Sequence, residues 1–253
     1  MKTAIITGAS SGIGKATAVE FSKMGYNLIL CGRREDALQS LQQELSPAVQ
    51  LHILKFDIRD KAEVFEQIGN LPESFSNIDI LVNNAGNAHG MESIQSGDTD
   101  DWDAMIDINV KGLLYVSKAI IPGMIERKSG HIINVGSTAG KEVYPKGNVY
   151  CASKYAVDAI NQGMRLDLNK TGIKVGAVNP GLTQTGFSDV RFKGDTARAE
   201  KVYHGYQPLL PEDIARIIAF MVTAPPHVNI ADLTVMPTAQ ASSVVINKNE
   251  ERE

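Results

Sequence analysis

Short apolar runs alternate with stretches of helical period along almost the whole chain, and this rhythm restricts the fold more than any other feature. Ala4–Ile6, Asn27–Cys31, Leu51–Leu54, Ile78–Val82, His131–Val135 and Lys174–Val178 read as buried strands, with Leu233–Met236 as a late seventh. Between them, Val157, Ile160, Met164 and Leu168 fall on one helical face, as do Ile214, Ile217, Ile218 and Met221. The second of these helices has a start signal: Pro211 in its first turn, then Glu212 and Asp213 at the positive end of the dipole. Strands regularly separated by helices form right-handed βαβ units. The expected fold class is therefore α/β, with a parallel sheet of about seven strands and helices on both faces. No internal repeat interrupts the pattern, and no linker rich in Gly, Ser or Pro divides it. One domain spanning 1–253 is expected, with only the charged tail from Lys248 to Glu253 fraying.

Composition narrows the function. The 253 residues include 25 Lys+Arg against 29 Asp+Glu, a net charge of −4 that lacks the basic field nucleic-acid binding requires. Two cysteines, Cys31 and Cys151, cannot build a disulfide framework and match no zinc spacing. The five histidines lie far apart, with no i, i+4 pair, so no metal site is expected. The apolar run near Met1 is too short for a secretory signal, and no uncharged run approaches the ~18 residues of a membrane span. A cytoplasmic protein acting on a small molecule, with no nucleic-acid or membrane partner, is the expectation.

In an open parallel sheet, ligands bind beyond the carboxyl ends of the strands. The first strand ends in Thr7-Gly8-Ala9-Ser10-Ser11-Gly12-Ile13-Gly14, a glycine-rich turn that opens a helix. Glycines let the backbone approach a pyrophosphate, and the helix start supplies free N–H donors. By itself such a turn is equally a structural one. About 20 residues further on, an acidic residue would be expected to hold a free ribose 2′-hydroxyl. Gly32 stands there, followed by Arg33 and Arg34. Guanidinium forks suit a 2′-phosphate, so the sequence predicts NADP over NAD, unless the arginines merely begin a solvated helix. Asp57 and Ile58 follow the third strand where an adenine edge would lie; Asp57 could also cap the next helix, although Asp60 fits that role better. The remaining ends, Asn83-Asn84-Ala85-Gly86, Gly136-Ser137-Thr138 and Asn179-Pro180-Gly181-Leu182-Thr183, are small and polar.

Tyr150 and Lys154 stand four apart at the start of a helical pattern, so both project from one face. A lysine ammonium there is expected to pull the phenol below its usual pKa of about 10, toward general acid/base work. A surface aromatic–lysine contact is the plain alternative. Asn109 falls on the apolar stripe of Trp102, Met105, Ile106, Val110 and Leu113. A core-facing amide needs partners, and it could bond its own backbone or hold a water or main-chain group in a proton path to Lys154. Ser137, at a strand end, can donate to a substrate carbonyl oxygen.

Thr7-Gly8-x-x-x-Gly12-Ile13-Gly14, Asn83-Asn84-Ala85-Gly86, Asn109, Ser137, Tyr150-x-x-x-Lys154 and Pro180-Gly181 together resemble the short-chain dehydrogenase/reductase superfamily in order and spacing. The resemblance covers essentially the whole chain. It implies a Rossmann fold, a nicotinamide cofactor and a catalytic tetrad of Asn109, Ser137, Tyr150 and Lys154. Tyr150 would protonate the carbonyl oxygen as NADPH delivers hydride, or act in reverse on an alcohol. Lys154 would also hold the nicotinamide ribose, Asn84 would belong to the cofactor site, and Thr183 to Thr185 would contact the nicotinamide amide and phosphates.

Within the superfamily, Cys31-Gly32-Arg33-Arg34-Glu35, the run from His131 to Gly140, Val190–Asp195 and His227-Val228-Asn229-Ile230 are similar to the NADP-dependent 3-hydroxy acid dehydrogenases. This similarity implies serine, allo-threonine, 3-hydroxypropionate or malonic semialdehyde as substrates. The ending Met236-Pro237-Thr238 departs from the Val-Asp-Gly-Gly of many ketoreductases, which lowers a broader carbonyl or 3-oxoacyl reductase reading. An NADP-sensing protein without catalysis is disfavoured by the complete tetrad. A 3-hydroxy acid carries a carboxylate, for which Arg191 and Lys193 are the candidate cations, although both could belong to a lid or subunit interface. Small residues such as Ala156, Ala159 and Gly163 suit the helix pairing of homotetramers common among similar proteins.

Overall fold

The computed structural model describes residues 1–249, so the last four residues of the predicted fraying tail lie outside the described residues. Seven parallel strands form one sheet in the order β3-β2-β1-β4-β5-β6-β7. The strands are β1 (Thr3–Thr7), β2 (Asn27–Gly32), β3 (Leu51–Lys55), β4 (Ile80–Asn83), β5 (Gly130–Val135), β6 (Ile173–Pro180) and β7 (Asp232–Val235). The helices are α1 (Gly12–Lys23), α2 (Glu35–Glu44), α3 (Lys61–Gly69), α4 (Thr99–Ile106), α5 (Leu113–Glu126), α6 (Asn148–Asp167), α7 (Phe187–Arg191), α8 (Thr196–Tyr203) and α9 (Pro211–Thr223). This is the single-domain Rossmann architecture expected from the sequence.

The strands are buried on both faces because consecutive residues serve opposite layers. Ile6, Leu30, Val82 and Ile133 pack on α1, α2 and α9 through Phe21, Leu38, Leu41, Ile214 and Ile218. Their neighbours Ile5, Ile29, Leu81 and Ile132 face α3, α5 and the end of α6 through Val64, Ile68, Val116, Ile120 and Leu168. Each such aliphatic side chain contributes about 1.5–3 kcal/mol when fully withdrawn from water.

Two sequence expectations shift. The fourth strand starts at Ile80 rather than Ile78; Asp79 still bonds the Thr3 carbonyl and the His131 amide through its backbone, and its carboxylate accepts the Thr3 amide at 2.8 Å. The helix carrying Asn109 is not a regular one. Between α4 and α5, Asp107–Gly112 widens into a π segment, which buries Ile108, Asn109 and Gly112 together and leaves Ile106 and Val110 half-buried. Asn109 keeps its place on the buried side.

Candidate active site

The sheet order reverses at β1, whose neighbours are β2 and β4. At such a switch point a crevice opens beyond the strand ends, and here it is a cleft of about 740 Å³. Thr7 clips the crevice floor together: its Oγ1 accepts the amides of Asn84 and Ala85, each at 3.0 Å. The Asn84 side chain donates back to the Thr7 carbonyl at 2.8 Å. Gly8 turns the chain with φ +67°, a conformation costly for a residue bearing a Cβ. Gly8, Ser10, Ser11, Gly12, Ile13 and Asn84 all line the cleft. Gly14 does not; it sits behind the turn, where a Cβ would come within 2.4 Å of the Gly8 carbonyl oxygen. It therefore lets α1 approach the strand rather than meeting a ligand.

The start of α1 is built to receive an anion. Its N-cap Ser11 makes no side-chain cap bond, and its first turn holds no acidic residue, so its amides remain available. Arg33 and Arg34 line the same cleft. Arg34 donates to Ser10 Oγ at 3.2 Å, and Arg33 lies 3.7 Å from the Asp57 carboxylate. Asp57 and Ile58 line the cleft as well, but both Asp57 carboxylate oxygens are engaged by Arg59, at 3.0 and 2.7 Å. Asp60, not Asp57, caps α3 by accepting the Glu63 amide. An open helix start beside a pair of guanidinium groups fits a pyrophosphate and a 2′-phosphate on one nucleotide, the donor set NADP requires.

On the other side of the crevice, Ser137, Tyr150 and Lys154 converge on the cleft from β5's end and α6. Ser137 Oγ accepts the Ala139 amide at 3.1 Å, and its hydroxyl also bonds to the Tyr150 phenol. Lys154 Nζ donates to the Val135 carbonyl at 3.0 Å. Asn109 lies beneath these groups. It accepts the Asn87 amide at 2.9 Å, and it donates to the Asn87 carbonyl at 2.8 Å and to Ser153 Oγ at 3.0 Å. The amide thus holds a main-chain loop of another segment, not its own backbone.

The electrostatics depart from the sequence expectation. Burial pushes the Tyr150 phenol well above its ordinary range, and the lowering effects of Ser137 and Arg191 do not offset it. Lys154 is itself lowered, to about 8, by burial. The i, i+4 spacing brings both side chains to the same cleft, but withdrawal from water dominates both of them. The phenol of this chain is therefore held protonated at neutral pH.

Pro180, Gly181, Thr183 and Thr185 line the cleft from the end of β6 onward. Arg191 lies across from them, its guanidinium 5.2, 5.4 and 5.8 Å from the ring centres of Tyr150, Tyr144 and Phe187. It donates to the Tyr144 hydroxyl, while its buried Nε has no hydrogen-bond partner among the described residues. Lys193 corrects the second candidate: its ammonium pairs with Asp101 at 2.9 Å and Asp98 at 3.5 Å, away from the cleft. Positive φ at Lys193 and Gly194 ends α7 and turns the lysine outward. The sequence reading missed Tyr144, Phe187 and Arg59, because an aromatic or an arginine in a loop has no periodicity to mark its direction.

The short chain dehydrogenase family model matches residues 2–195. NADP-dependent 3-hydroxy acid dehydrogenase YdfG of Escherichia coli (strain K12) is 45% identical over 238 residues, 94% of this chain and 95% of that protein. Sulfoacetaldehyde reductase 2 of Chromohalobacter salexigens is 45% identical over 240 residues, again 94% and 95% of the two chains. The closed form of serine dehydrogenase complexed with NADP+ superposes with a TM-score of 0.92 at 43% identity, covering 99% of this chain and all of that one. The chain is an NADP-dependent oxidoreductase acting on CH–OH groups, and it belongs to the short-chain dehydrogenase family.

Proposed function

We propose that the protein interconverts the C3 alcohol and carbonyl of small 3-hydroxy acids, serine, allo-threonine and 3-hydroxypropionate/malonic semialdehyde among them. NADP, when bound, takes or supplies the hydride at that carbon. Gly8, Ser10, Ser11, Gly12 and Ile13 would hold its pyrophosphate, Arg33 and Arg34 its 2′-phosphate, and Asp57 and Ile58 its adenine side. Asn84, Lys154, Pro180, Gly181, Thr183 and Thr185 would border its nicotinamide half. Ser137, which bonds to the Tyr150 phenol, would turn its hydroxyl proton to the substrate oxygen. Tyr150, protonated at neutral pH, would give its proton to that oxygen in reduction and be left as phenolate; in oxidation that phenolate would take the alcohol proton. Asn109 fixes the Asn87 loop against α6, and so holds the wall beside Lys154.

The observation that carries the substrate class is Arg191: a guanidinium against the ring of Tyr150, with a buried, unpartnered Nε. Such a group calls for an anion, and it stands where the head of a substrate reacting at Tyr150 would lie. A 3-hydroxy acid places its carboxylate one carbon from the reacting centre. Sulfoacetaldehyde places a sulfonate at the same remove, and the similarity to sulfoacetaldehyde reductase 2 supports that second reading.

Steady-state rates with 3-hydroxypropionate, 2-hydroxyethanesulfonate and uncharged 1,3-propanediol test the proposal. Arg191→Gln is expected to lower kcat/KM for the preferred anion about 100-fold and to leave the diol unchanged. Equal losses on all three would remove the anion role, and the ratio of the two anions in the unaltered enzyme separates carboxylate from sulfonate. Assembly as a homotetramer is supported by exposed Leu114 and Ile125 on α5 and Tyr155 and Leu166 on α6, faces suited to helix pairing. Among the described residues, no helix is long and apolar enough to cross a membrane.

A further inference from the structure

Asp57 poses an electrostatic problem. It brings a carboxylate to the part of the cleft that must receive a 2′-phosphate, and the same carboxylate lies 3.7 Å from Arg33. β2 and β3 are neighbours in the sheet, with Gly32 paired to Lys55, so the residues after the two strands cannot avoid each other. Left alone, an aspartate here would repel the phosphate and compete with it for the guanidinium.

Arg59 resolves the conflict. Its backbone amide and Nε both donate to Asp57 Oδ1 at 3.0 Å, while Nε and NH2 donate to Oδ2 at 3.1 and 2.7 Å. This fork occupies both carboxylate oxygens, and Arg33 makes only the longer contact. The other charges nearby are already committed elsewhere. Lys55 pairs with Glu35 at 3.4 Å, Asp107 pairs with Lys111 at 2.8 Å, and Glu63 accepts the Asp57 amide at 3.0 Å. Arg59 is therefore the cation that neutralises Asp57, and it does so from outside the set of residues lining the cleft.

We propose that Arg59 is a positioning residue for cofactor choice: by saturating Asp57 it leaves Arg33 free for the 2′-phosphate and so sustains the preference for NADP over NAD. Without Arg59, the freed carboxylate captures Arg33, the nearest remaining guanidinium. The phosphate site then loses one cation and faces an unpaired anion. A cofactor without the 2′-phosphate lacks the group on which both changes act, and any effect at the adenine side by Asp57 is common to the two cofactors.

The test uses the full chain and equilibrium binding, with NADPH, NADH, 2′,5′-ADP and 5′-AMP as probes. Arg59→Gln is expected to weaken NADPH and 2′,5′-ADP about tenfold, and to move NADH and 5′-AMP by less than about twofold. Arg59→Lys should retain most of the discrimination, because one ammonium still neutralises the carboxylate. Adding Asp57→Asn to Arg59→Gln should recover the NADPH/NADH ratio, since no carboxylate then remains to capture Arg33. Equal weakening of NADPH and NADH would mean that Arg59 only braces the loop. That result overturns the proposal, as does an unchanged ratio in Arg59→Gln or a double variant that fails to recover it.

Discussion

The ammonium of Lys154 rests on the main-chain oxygen of Val135, 3.0 Å away, and no carboxylate among the described residues pairs with it. Burial lowers Lys154 from its ordinary value to about 8 in the folded protein. The unfolded chain therefore binds more protons than the native state between about pH 8 and 10.5, and stability rises with pH across that window. At pH 7 the charged, buried lysine costs roughly 3 kcal/mol relative to the exposed one. Lys154→Met should thus be inactive yet more stable at pH 7, by about 1–3 kcal/mol in urea unfolding, and should lose that advantage by about pH 10.5. A less stable variant at pH 7 would show that the lysine holds the fold and not the site.

Tyr150→Phe isolates the proton. The ring stays between Arg191 and Phe187, 5.2 Å from the guanidinium and 5.5 Å from the Phe187 ring centre, so packing is preserved. Turnover should fall by about 10²–10⁴, the usual worth of a positioned general acid. NADPH binding should stay within about threefold, because the phosphate contacts lie elsewhere. Single-turnover absorbance and calorimetry on the same preparation read the two quantities separately.

How far the sequence speaks for itself differs from residue to residue. The strand ends were legible because a parallel sheet places every carboxyl end on one edge, so Gly8, Asn84, Ser137 and Thr183 meet whatever their separation along the chain. Tyr150 and Lys154 were legible as neighbours because helical spacing is fixed. Their ionisation was not, since it depends on how much water the surrounding fold removes. The π segment at Asp107–Gly112 was hidden because it depends on tertiary packing around Asn109 and leaves the composition unchanged. Lys193 went astray for a local reason: φ turns positive at Lys193 and Gly194, and the lysine pairs with Asp98 and Asp101 while Arg191, two residues earlier, lines the cleft.

His131 gives the fold an acid-sensitive point. It is 4% exposed on β5, and neither ring nitrogen has a hydrogen-bond partner among the described residues. Desolvation, reinforced by Lys174 and Lys2, lowers it to about 3. The folded state keeps the ring neutral, whereas the unfolded chain takes up a proton below about pH 6.5. Stability is therefore complete above that value and is lost as pH falls toward 3. By pH 5 the loss from this residue alone should reach roughly 2 kcal/mol. His131→Leu should remove that part of the slope between pH 7.5 and 5 in urea unfolding, whatever its effect on stability at neutral pH. An unchanged slope would place the acid sensitivity in other groups.

Gly14 tests whether the glycine-rich turn depends on helix approach as well as on backbone flexibility. A Cβ there would stand 2.4 Å from the Gly8 carbonyl oxygen and 2.5 Å from Asn84 Nδ2. Neither atom can give way alone: the carbonyl belongs to the turn with φ +67°, and the Asn84 amide is tied to Thr7. Gly14→Ala must therefore push α1 outward or unseat the turn, at a cost of about 1–3 kcal/mol from overpacking. Either movement draws the α1 amides away from the pyrophosphate, so NADPH and NADH should both bind about tenfold or more weakly. Because the displaced donors serve the phosphates common to both cofactors, the ratio between them should hold. Titration calorimetry that found normal affinity in a destabilised Gly14→Ala protein would show that the turn keeps its shape without the close approach.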